Sequence, residues 1–230
     1  MGTVYLIPSL LHEEGIDALP NYILPAVKEC QVFFVENERT SRRFLKLLSK
    51  EIVIDDYEWY NVADATAAAS FKQKLSANKV IGLLSEAGCP GVADPGQALV
   101  AIAQDMNAVV KPLVGPNSIL LALMASGMNG QQFLFAGYLP IDNMQRAKTI
   151  RELEANSSKN NCTQIFIETP YRNNQMIEAI LKNCKPSTRF CIAADLTSKN
   201  EWVKTKTVAQ WQQQKPDMHK RPVIFLLLAE

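Results

Sequence analysis

The most informative segment for the fold is residues 80–96, Val80-Ile-Gly-Leu-Leu-Ser-Glu-Ala-Gly-Cys-Pro-Gly-Val-Ala-Asp-Pro-Gly96. Its first five residues form an apolar run that predicts a buried strand. The next twelve, Ser85 to Gly96, contain three glycines and two prolines, more than a plain strand-to-helix connection needs. This segment therefore favours a ligand-binding loop. Neither the G-x-G-x-x-G pattern nor the P-loop pattern is present, so the loop is not typical of dinucleotide-binding or P-loop proteins.

Strand-like and helix-like segments alternate through the first half of the chain. The pattern predicts strands at 3–7, 31–35, 80–84 and 109–114, and helices at 41–49, 63–77, 99–104 and 118–126. Such alternation indicates βαβ units and a largely parallel sheet, which binds ligands at the carboxyl ends of its strands. The loop Ser85 to Gly96 and the turn Gly115 to Ser118 both follow predicted strands, so we expect them on one rim.

The pattern changes in the second half, where strands outnumber crossovers. It predicts strands at 133–138, 164–168, 190–196, 202–207 and 223–228, helices at 144–154, 171–182 and 208–213, and a turn or mobile loop at 156–161. This indicates a second, α+β domain with a mixed sheet. We place the boundary in the Gly115-Pro116 turn, giving domains 1–114 and 115–230; a later boundary near 128–132 is the alternative.

Composition excludes several classes of protein. With 47% apolar and 20% charged residues in 230, the chain is not disordered. Its longest apolar stretches, 118–126 and 223–229, are far shorter than the ~18 residues of a membrane span, and no signal peptide is expected. Five cysteines without a CxxC pair predict a reducing cytoplasm. Only two histidines argue against a zinc site or a Ser-His-Asp triad, so no metal is expected.

Charge is divided unevenly between the two halves. Residues 1–115 contain 10 basic and 14 acidic residues, a net −4, whereas residues 116–230 contain 14 and 9, a net +5. A polyanion could bind the second half. An ordinary fluctuation on a solvated surface explains the same numbers, and the charge count alone favours that explanation.

Several motifs in a fixed order make the resemblance to a known family specific. They are Ser85 to Gly96, Lys111-Pro-Leu-Val-Gly-Pro-Asn-Ser118, Ala125-Ser-Gly127 through Phe133-Leu-Phe-Ala-Gly-Tyr-Leu-Pro140, Glu168-Thr-Pro-Tyr-Arg172 and Asp195-Leu-Thr-Ser-Lys199. With them the chain resembles the tetrapyrrole-methylase-type (class III) S-adenosylmethionine-dependent methyltransferases over nearly its whole length. Within that superfamily it is most similar to the ribosomal RNA small-subunit cytidine 2′-O-methyltransferases.

The resemblance implies that S-adenosylmethionine lies in a cleft between the two domains. By position in the motifs, the cofactor-binding residues are Pro8, Ser85, Ala87, Gly88, Cys89, Val92, Asp94, Asn117, Ser118, Glu168 and Leu196. Asn117 and Ser118 fall at a helix start, where free N–H groups suit a carboxylate. Asp94 is also predicted to cap the helix that follows, with Pro95 as its first residue. Cys89 replaces the Thr usual in the family, and we interpret it as a small loop residue rather than a nucleophile.

The resemblance also suggests how a hydroxyl acceptor is used. Removing its proton needs a positioned side chain, and Glu36, which follows the second strand, is the candidate base, with Glu38 second. Arg39, Arg172 and Lys199 are candidates for holding substrate phosphate. The implied partner is rRNA or the small ribosomal subunit, and relatives are commonly homodimers.

Three alternatives remain open at this stage. One is a methyltransferase acting on a tetrapyrrole or another small molecule. Another is a catalytically silent RNA-binding or S-adenosylmethionine-sensing homologue, because segments 8–14 and 194–199 depart from the rRNA enzymes. The last is a nucleotide-binding metabolic enzyme, against which the absence of Walker and Rossmann loops weighs.

Overall fold

The chain forms two compact units, each with a five-stranded sheet. The structure is a computed structural model that describes residues 2–229. The first unit ends at Asn117 and the second begins at Ser118, three residues beyond the boundary predicted from the sequence. Each unit has its own hydrophobic core.

The first unit alternates strands and helices. The strands are β1 (Thr3–Ile7), β2 (Val32–Val35), β3 (Glu58–Asn61), β4 (Val80–Leu84) and β5 (Val109–Pro112), and the helices are α1 (Ile23–Glu29), α2 (Glu38–Leu48), α3 (Ala67–Ser76) and α4 (Gln97–Asp105). All strand pairs are parallel, in the order β3-β2-β4-β1-β5. The parallel sheet predicted from the sequence is confirmed, and the carboxyl ends of β1, β2, β4 and β5 share one rim.

Aromatic residues on β2 show how this sheet is buried on both faces. Phe33 and Phe34 point to opposite faces because side chains alternate along a strand. Phe33 stacks on Trp59 with ring centroids 5.0 Å apart, and Phe34 stacks on Tyr60 at 4.9 Å. The sequence analysis missed β3, because its exposed first residue, Glu58, and its final Asn61 interrupt the apolar pattern.

The second unit contains the mixed sheet that the sequence predicts. Its elements are α5 (Ser118–Ser126), β6 (Phe133–Tyr138), α6 (Asn143–Asn160), β7 (Thr163–Ile167), α7 (Asn173–Asn183), β8 (Arg189–Ala194), β9 (Trp202–Thr207), α8 (Val208–Gln213) and β10 (Val223–Leu228). The sheet order is β6-β7-β10-β8-β9. Only the β6–β7 pair is parallel, and the other three pairs are antiparallel.

One segment of the second unit corrects the sequence analysis. The predicted turn or mobile loop at 156–161 is the last part of α6, which continues to Asn160. Ser157 is fully buried, and its hydroxyl accepts a hydrogen bond from the Ala229 N–H at 2.9 Å. Asn161 then ends the helix in the left-handed conformation, with φ of 47°. Tertiary contacts at Ser157 therefore override the weak helix propensity of the Asn and Ser residues.

Candidate functional site

The loop that follows β4 folds back on the loop that follows β1. The Ser9 N–H donates to the Gly88 carbonyl at 2.8 Å, and these residues form an antiparallel bridge. The Ser85 hydroxyl donates to the same carbonyl at 3.0 Å and lies 3.4 Å from the Ala87 carbonyl oxygen. These bonds fix the path of the loop at the rim of the sheet.

The same loop contacts the turn that follows β5. The Cys89 Sγ lies 3.5 Å from the Pro116 carbonyl oxygen and 3.7 Å from that of Gly115. A Cβ atom on Gly88 would stand 3.3 Å from the Pro116 oxygen, and one on Gly115 would stand only 2.2 Å from the Cβ of Pro8. The two loops predicted on one rim are therefore in contact there, through the Cys89 thiol on one side and two backbone carbonyls on the other.

The thiol of Cys89 lies within this contact. Burial raises its pKa, and a hydrogen bond with Asn117 opposes the rise. Because the thiolate is the reactive form of cysteine, a raised pKa makes this thiol a poor nucleophile near neutral pH. The environment of Cys89 favours its interpretation as a small residue packed in a loop.

The residues predicted to contact the cofactor from this loop differ in exposure. Pro8 and Ser85 are buried, so they pack beneath the exposed surface of the rim. Ala87 and Val92 are exposed, and Val92 leaves 47% of its surface accessible. The exposed part of the loop is the part that a ligand can reach.

Asp94 organises the loop instead of capping the next helix. Its Oδ1 accepts hydrogen bonds from the N–H groups of Gly96 at 2.7 Å and Gly91 at 3.2 Å. Helix α4 begins at Gln97 with Gly96 as its N-cap, and no side chain caps it. The predicted cap at Asp94, with Pro95 as first helical residue, is therefore wrong, because nearer glycine N–H groups hold the carboxylate within the loop.

Glu36 follows β2 and reaches the same loop. Its Oε1 accepts a hydrogen bond from the Glu86 N–H at 3.0 Å, and its own carbonyl accepts one from Asn61 Nδ2 at 3.0 Å. Burial raises the pKa of Glu36; the bond from Glu86 N–H opposes this, while the Asp94 carboxyl and the Glu86 charge add to it. A carboxyl with a raised pKa is closer to the proton affinity that a general base needs at neutral pH.

The start of α2 holds the other charged candidates. Asn37 caps the helix, accepting from the Arg39 N–H at 3.0 Å, and Arg39 itself is exposed. Glu38, the second candidate base, forms an ion pair with Arg42. Arg42 also lies over the ring of Trp59, 5.4 Å from its centroid. Glu38 is therefore paired with a cation, whereas the Glu36 carboxylate accepts a hydrogen bond from a backbone N–H.

A cavity of about 600 Å³ lies between the loop after β1, helix α2 and the start of the loop after β4. Ser85, Glu86 and Ala87 line it on one side. The sequence analysis did not identify it, because its walls come from three distant segments and its apolar residues are indistinguishable from core positions. The cavity is also lined by residues of the loop after β1 and of α2, among them Ser9, Leu11, His12, Glu13, Arg43, Phe44 and Leu47.

In the second unit, Glu168 follows β7 and its side chain is almost completely buried, with 1% exposed. Its Oε1 accepts from Arg172 Nη2 at 2.6 Å, from Arg172 Nε at 3.0 Å and from the Thr169 N–H at 2.7 Å. Its Oε2 is buried with no hydrogen-bond partner among residues 2–229. The guanidinium of Arg172, predicted to hold phosphate, is thus bound to Glu168.

The remaining predicted residues lie at element ends of the second unit. Leu196 is buried in the turn after β8, and Lys199 is exposed in the same turn. This turn is held by Asp195, whose Oδ2 accepts from Arg221 Nε at 2.6 Å. Ser118 is the first residue of α5, as the predicted helix start requires.

The described part of the chain has neither a cluster of metal ligands nor a membrane-spanning helix. Within residues 2–229, no three or more His, Cys, Asp or Glu side chains are grouped so that they could hold a metal ion. No helix within the same residues has both the length and the apolar character that crossing a membrane requires.

Curated relatives of this chain are ribosomal RNA small subunit methyltransferases I. The protein of that name from Bacillus subtilis is 29% identical over 201 residues, covering 87% of this chain and 66% of the relative. The one from Mesorhizobium japonicum is 31% identical over 185 residues, covering 80% and 61%. The chain thus spans less than two thirds of the length of these relatives.

The fold is also found among solved structures. Uroporphyrin-III C-methyl transferase from Thermus thermophilus, complexed with S-adenyl homocysteine, aligns with a TM-score of 0.58 and 16% identity, covering 99% of this chain and 97% of that one. This likeness shows that the fold is shared. Residues 23–212 match the family model described as Tetrapyrrole (Corrin/Porphyrin) Methylases. Because that match covers most of the chain, it confirms the family indicated by the motifs: the chain belongs to the tetrapyrrole (corrin/porphyrin) methylase family.

Proposed function

We propose that this protein is an S-adenosylmethionine-dependent methyltransferase that methylates the 2′-hydroxyl of a cytidine ribose in small-subunit rRNA. The observation that carries the proposal is the contact of the Cys89 thiol with the carbonyl oxygens of the Gly115–Pro116 turn at the carboxyl rim of a parallel sheet, where such sheets bind ligands. The names of the curated relatives support the rRNA acceptor.

The residues present fit the methyl donor on two observations. The rim is closely packed, because a Cβ on Gly115 would stand only 2.2 Å from the Cβ of Pro8, so there is no room for a side chain at this position. In the second unit, the buried Glu168 Oε2 has no protein donor among the described residues, and a ligand hydroxyl or amino group would satisfy it. We propose that Pro8, Ser85, Ala87, Gly88, Cys89, Val92, Asp94, Asn117, Ser118, Glu168 and Leu196 form the donor-binding set.

The chemistry requires alignment and one proton transfer. When bound, S-adenosylmethionine supplies a methyl group whose bond to the positively charged sulfur breaks with the electron pair left on sulfur. The acceptor oxygen forms the new bond to carbon and loses its proton. Glu36 is the candidate to take that proton, since burial and neighbouring carboxyl groups raise its pKa. We also propose Arg39, Arg172 and Lys199 as phosphate contacts. Arg172 would bind phosphate while keeping its hydrogen bond to Glu168.

Methylation mapping tests the acceptor. Small-subunit rRNA from cells with and without the protein is compared nucleotide by nucleotide for 2′-O-methyl groups. We expect one cytidine to lose its methyl group when the protein is absent. An unchanged map contradicts the rRNA acceptor, and methyl transfer to uroporphyrinogen III by the purified protein would assign it to the small-molecule alternative.

Turnover of Glu36→Gln tests the base. Replacing a general base typically slows turnover by about 10²–10⁴-fold. We expect a loss in this range, with donor affinity within twofold of wild type. Glu51→Gln is the matched control, because Glu51 is exposed and has no proposed role in the site, while Glu38→Gln tests the second candidate base. Normal turnover of Glu36→Gln would remove Glu36 from the mechanism.

We propose that the protein works in the cytoplasm as a homodimer. All five cysteines are free, which suits a reducing compartment. At the edge of the second sheet, β6 and the following turn leave Leu134, Tyr138 and Ile141 47%, 63% and 68% exposed. An exposed apolar edge of this kind favours pairing with another chain. Sedimentation equilibrium is expected to give twice the 25.6 kDa chain mass, and a monomer at all concentrations would contradict the dimer.

A further inference from the structure

The cavity of the first unit and the proposed donor contacts lie on two sides of one loop. Ala87 lines the cavity, whereas the next two residues, Gly88 and Cys89, face the Pro116 carbonyl. In the sheet, β4 stands between β2 and β1, and β5 lies beyond β1. The cavity is bounded by α2, which follows β2, and the donor contacts involve the turn after β5. Because Ala87 and Gly88 are consecutive residues, a molecule in the cavity lies next to the donor contacts along the same rim.

The floor of the cavity is apolar. Phe44 is buried with 8% exposed, Leu11 is half-buried, and Leu47 leaves 51% of its surface accessible. A volume of about 600 Å³ is in the range of small-molecule sites. An aromatic ring beside aliphatic side chains suits the flat face of a nucleobase.

Two polar side chains at the cavity wall, Ser9 and His12, can form hydrogen bonds with a ligand. Ser9 is only 4% exposed, and its Oγ has no hydrogen-bond partner among residues 2–229. Such a buried hydroxyl is unfavourable unless another group satisfies it. His12 Nδ1 accepts from the Glu14 N–H at 3.2 Å, so the neutral ring carries its proton on Nε2. The cavity therefore offers a hydroxyl and an imidazole N–H to a ligand.

The charged side chains around the cavity carry a net negative charge, so an occupant with many negative charges is disfavoured and a single anionic group fits only beside Arg43. Arg43 is exposed at the cavity wall, while Glu13 and Glu86 contribute two carboxylates. The Glu86 carboxylate is also held by the Thr40 hydroxyl. A tetrapyrrole with many carboxylates would meet repulsion here, whereas one nucleotide brings one phosphate, opposite Arg43.

We propose that this cavity receives the acceptor nucleotide of a single-stranded RNA segment. The base lies against Leu11, Phe44 and Leu47, the Ser9 hydroxyl binds a nucleotide oxygen, and Arg43 binds the phosphate. This assignment rests on the proposed function, because it takes RNA as the methyl acceptor.

Two substitutions at the cavity test the assignment. Leu47→Trp fills the cavity from a half-exposed position, and Arg43→Gln removes the phosphate partner. Lys46→Gln is the matched control: it removes one positive charge from the same helix, and Lys46 bonds to the Lys50 carbonyl outside the cavity lining. Methyl transfer is measured on purified small ribosomal subunits carrying unmethylated rRNA, and donor affinity by calorimetry.

We expect both cavity variants to lower kcat/KM for subunits at least tenfold, while Lys46→Gln stays within twofold and all three bind donor as wild type does. Cavity variants within twofold of an active wild type would overturn the assignment. Wild-type protein that transfers no methyl group to subunits would overturn the proposed function itself, and the assignment with it. The two failures are distinct, because only the second is seen without any substitution.

Ser9→Ala separates a ligand contact from a structural role. The substitution removes a buried hydroxyl that has no protein partner and leaves the Ser9 N–H bond to Gly88 in place. We expect an unchanged or higher melting temperature together with a three- to tenfold lower kcat/KM for subunits. Unchanged kcat/KM would remove Ser9 from the nucleotide site.

Discussion

Two glutamates that each follow a strand, Glu36 after β2 and Glu168 after β7, sit in opposite surroundings. Glu168 is buried and bound through two nitrogens by Arg172. Glu36 is half-buried, accepts one backbone N–H, and has the carboxyl groups of Asp94 and Glu86 nearby. One carboxylate is paired with a cation, whereas burial and neighbouring carboxyl groups raise the pKa of the other.

The difference separates an acid that is paired with an arginine from the proposed proton acceptor. Removing a buried carboxylate that is paired with an arginine leaves the cation without a partner. A carboxylate beside other carboxylates gains a proton more readily. The same residue type in similar positions after strands therefore supports different chemistry, and substitution by glutamine should distinguish the two sites.

Glu168→Gln is expected to have the largest effect. It removes the partner of Arg172 from a side chain that is 1% exposed, and breaking such a pair costs about 3 kcal/mol of unfolding free energy. Chemical denaturation measures the loss. Glu178→Gln, at an exposed position of α7, is the control and should change stability by less than about 0.5 kcal/mol. Equal stability of the two variants would contradict the described role of the Glu168–Arg172 pair.

Gly115→Ala should have the next largest effect, because Gly115 packs closely against Pro8 at the rim of the sheet. The added Cβ would lie 2.2 Å from the Cβ of Pro8, and overpacking of this kind costs about 1–3 kcal/mol. Weaker donor binding should accompany the loss of stability. Gly130→Ala is the control, since a Cβ there meets no atom within 4 Å. A Gly115→Ala variant that melts and binds as wild type does would show that the rim tolerates displacement.

Glu36→Gln should raise stability at neutral pH while lowering turnover. The folded-state pKa of Glu36 is raised above its ordinary value of 4.5. Its protonated form therefore supports folding fully below that value, and the support is lost as pH rises through the folded-state pKa. We expect the variant to melt about 1–3 °C higher at pH 7, a small gain because solvent screens the half-exposed charge. The gain should vanish below about pH 4, where Glu36 is protonated in both states; a gain independent of pH would contradict the pKa direction.

Cys89→Ser should have the smallest effect. The thiol is a weak donor to two carbonyl oxygens at 3.5 and 3.7 Å, and a hydroxyl of similar size preserves those contacts. Donor affinity by calorimetry should stay within twofold of wild type. A complete loss of methyl transfer with donor binding intact would instead indicate that the thiol reacts.

Much of the fold was predictable from local sequence. Apolar runs and the βαβ alternation give the parallel sheet, and the fixed order of motifs gives the family. Strand β3 was not predictable by these rules, because its stability comes from Trp59 and Tyr60 stacking on β2 rather than from a continuous apolar run. The end of α6 escaped for a similar reason, since the bond to Ser157 comes from Ala229, 72 residues away.

The candidate site was predictable only in part. Glycine and proline spacing identified the loop Ser85 to Gly96 and the turn Gly115 to Ser118, whose contact the structure describes. The interaction of Glu36 with Asp94 and Glu86, and the bond between Arg172 and Glu168, depend on side-chain directions that motif positions do not encode. The role of Asp94 was not predictable either, because its carboxylate binds the N–H groups of Gly91 and Gly96 instead of capping a helix.

The most direct test of the central claim is calorimetric titration of the wild-type protein with S-adenosylmethionine and, separately, with S-adenosylhomocysteine. We predict saturable binding of one donor per chain for both ligands, weakened by Gly115→Ala and unchanged in Gly130→Ala. A protein with intact melting behaviour that binds neither ligand would contradict the proposed donor site.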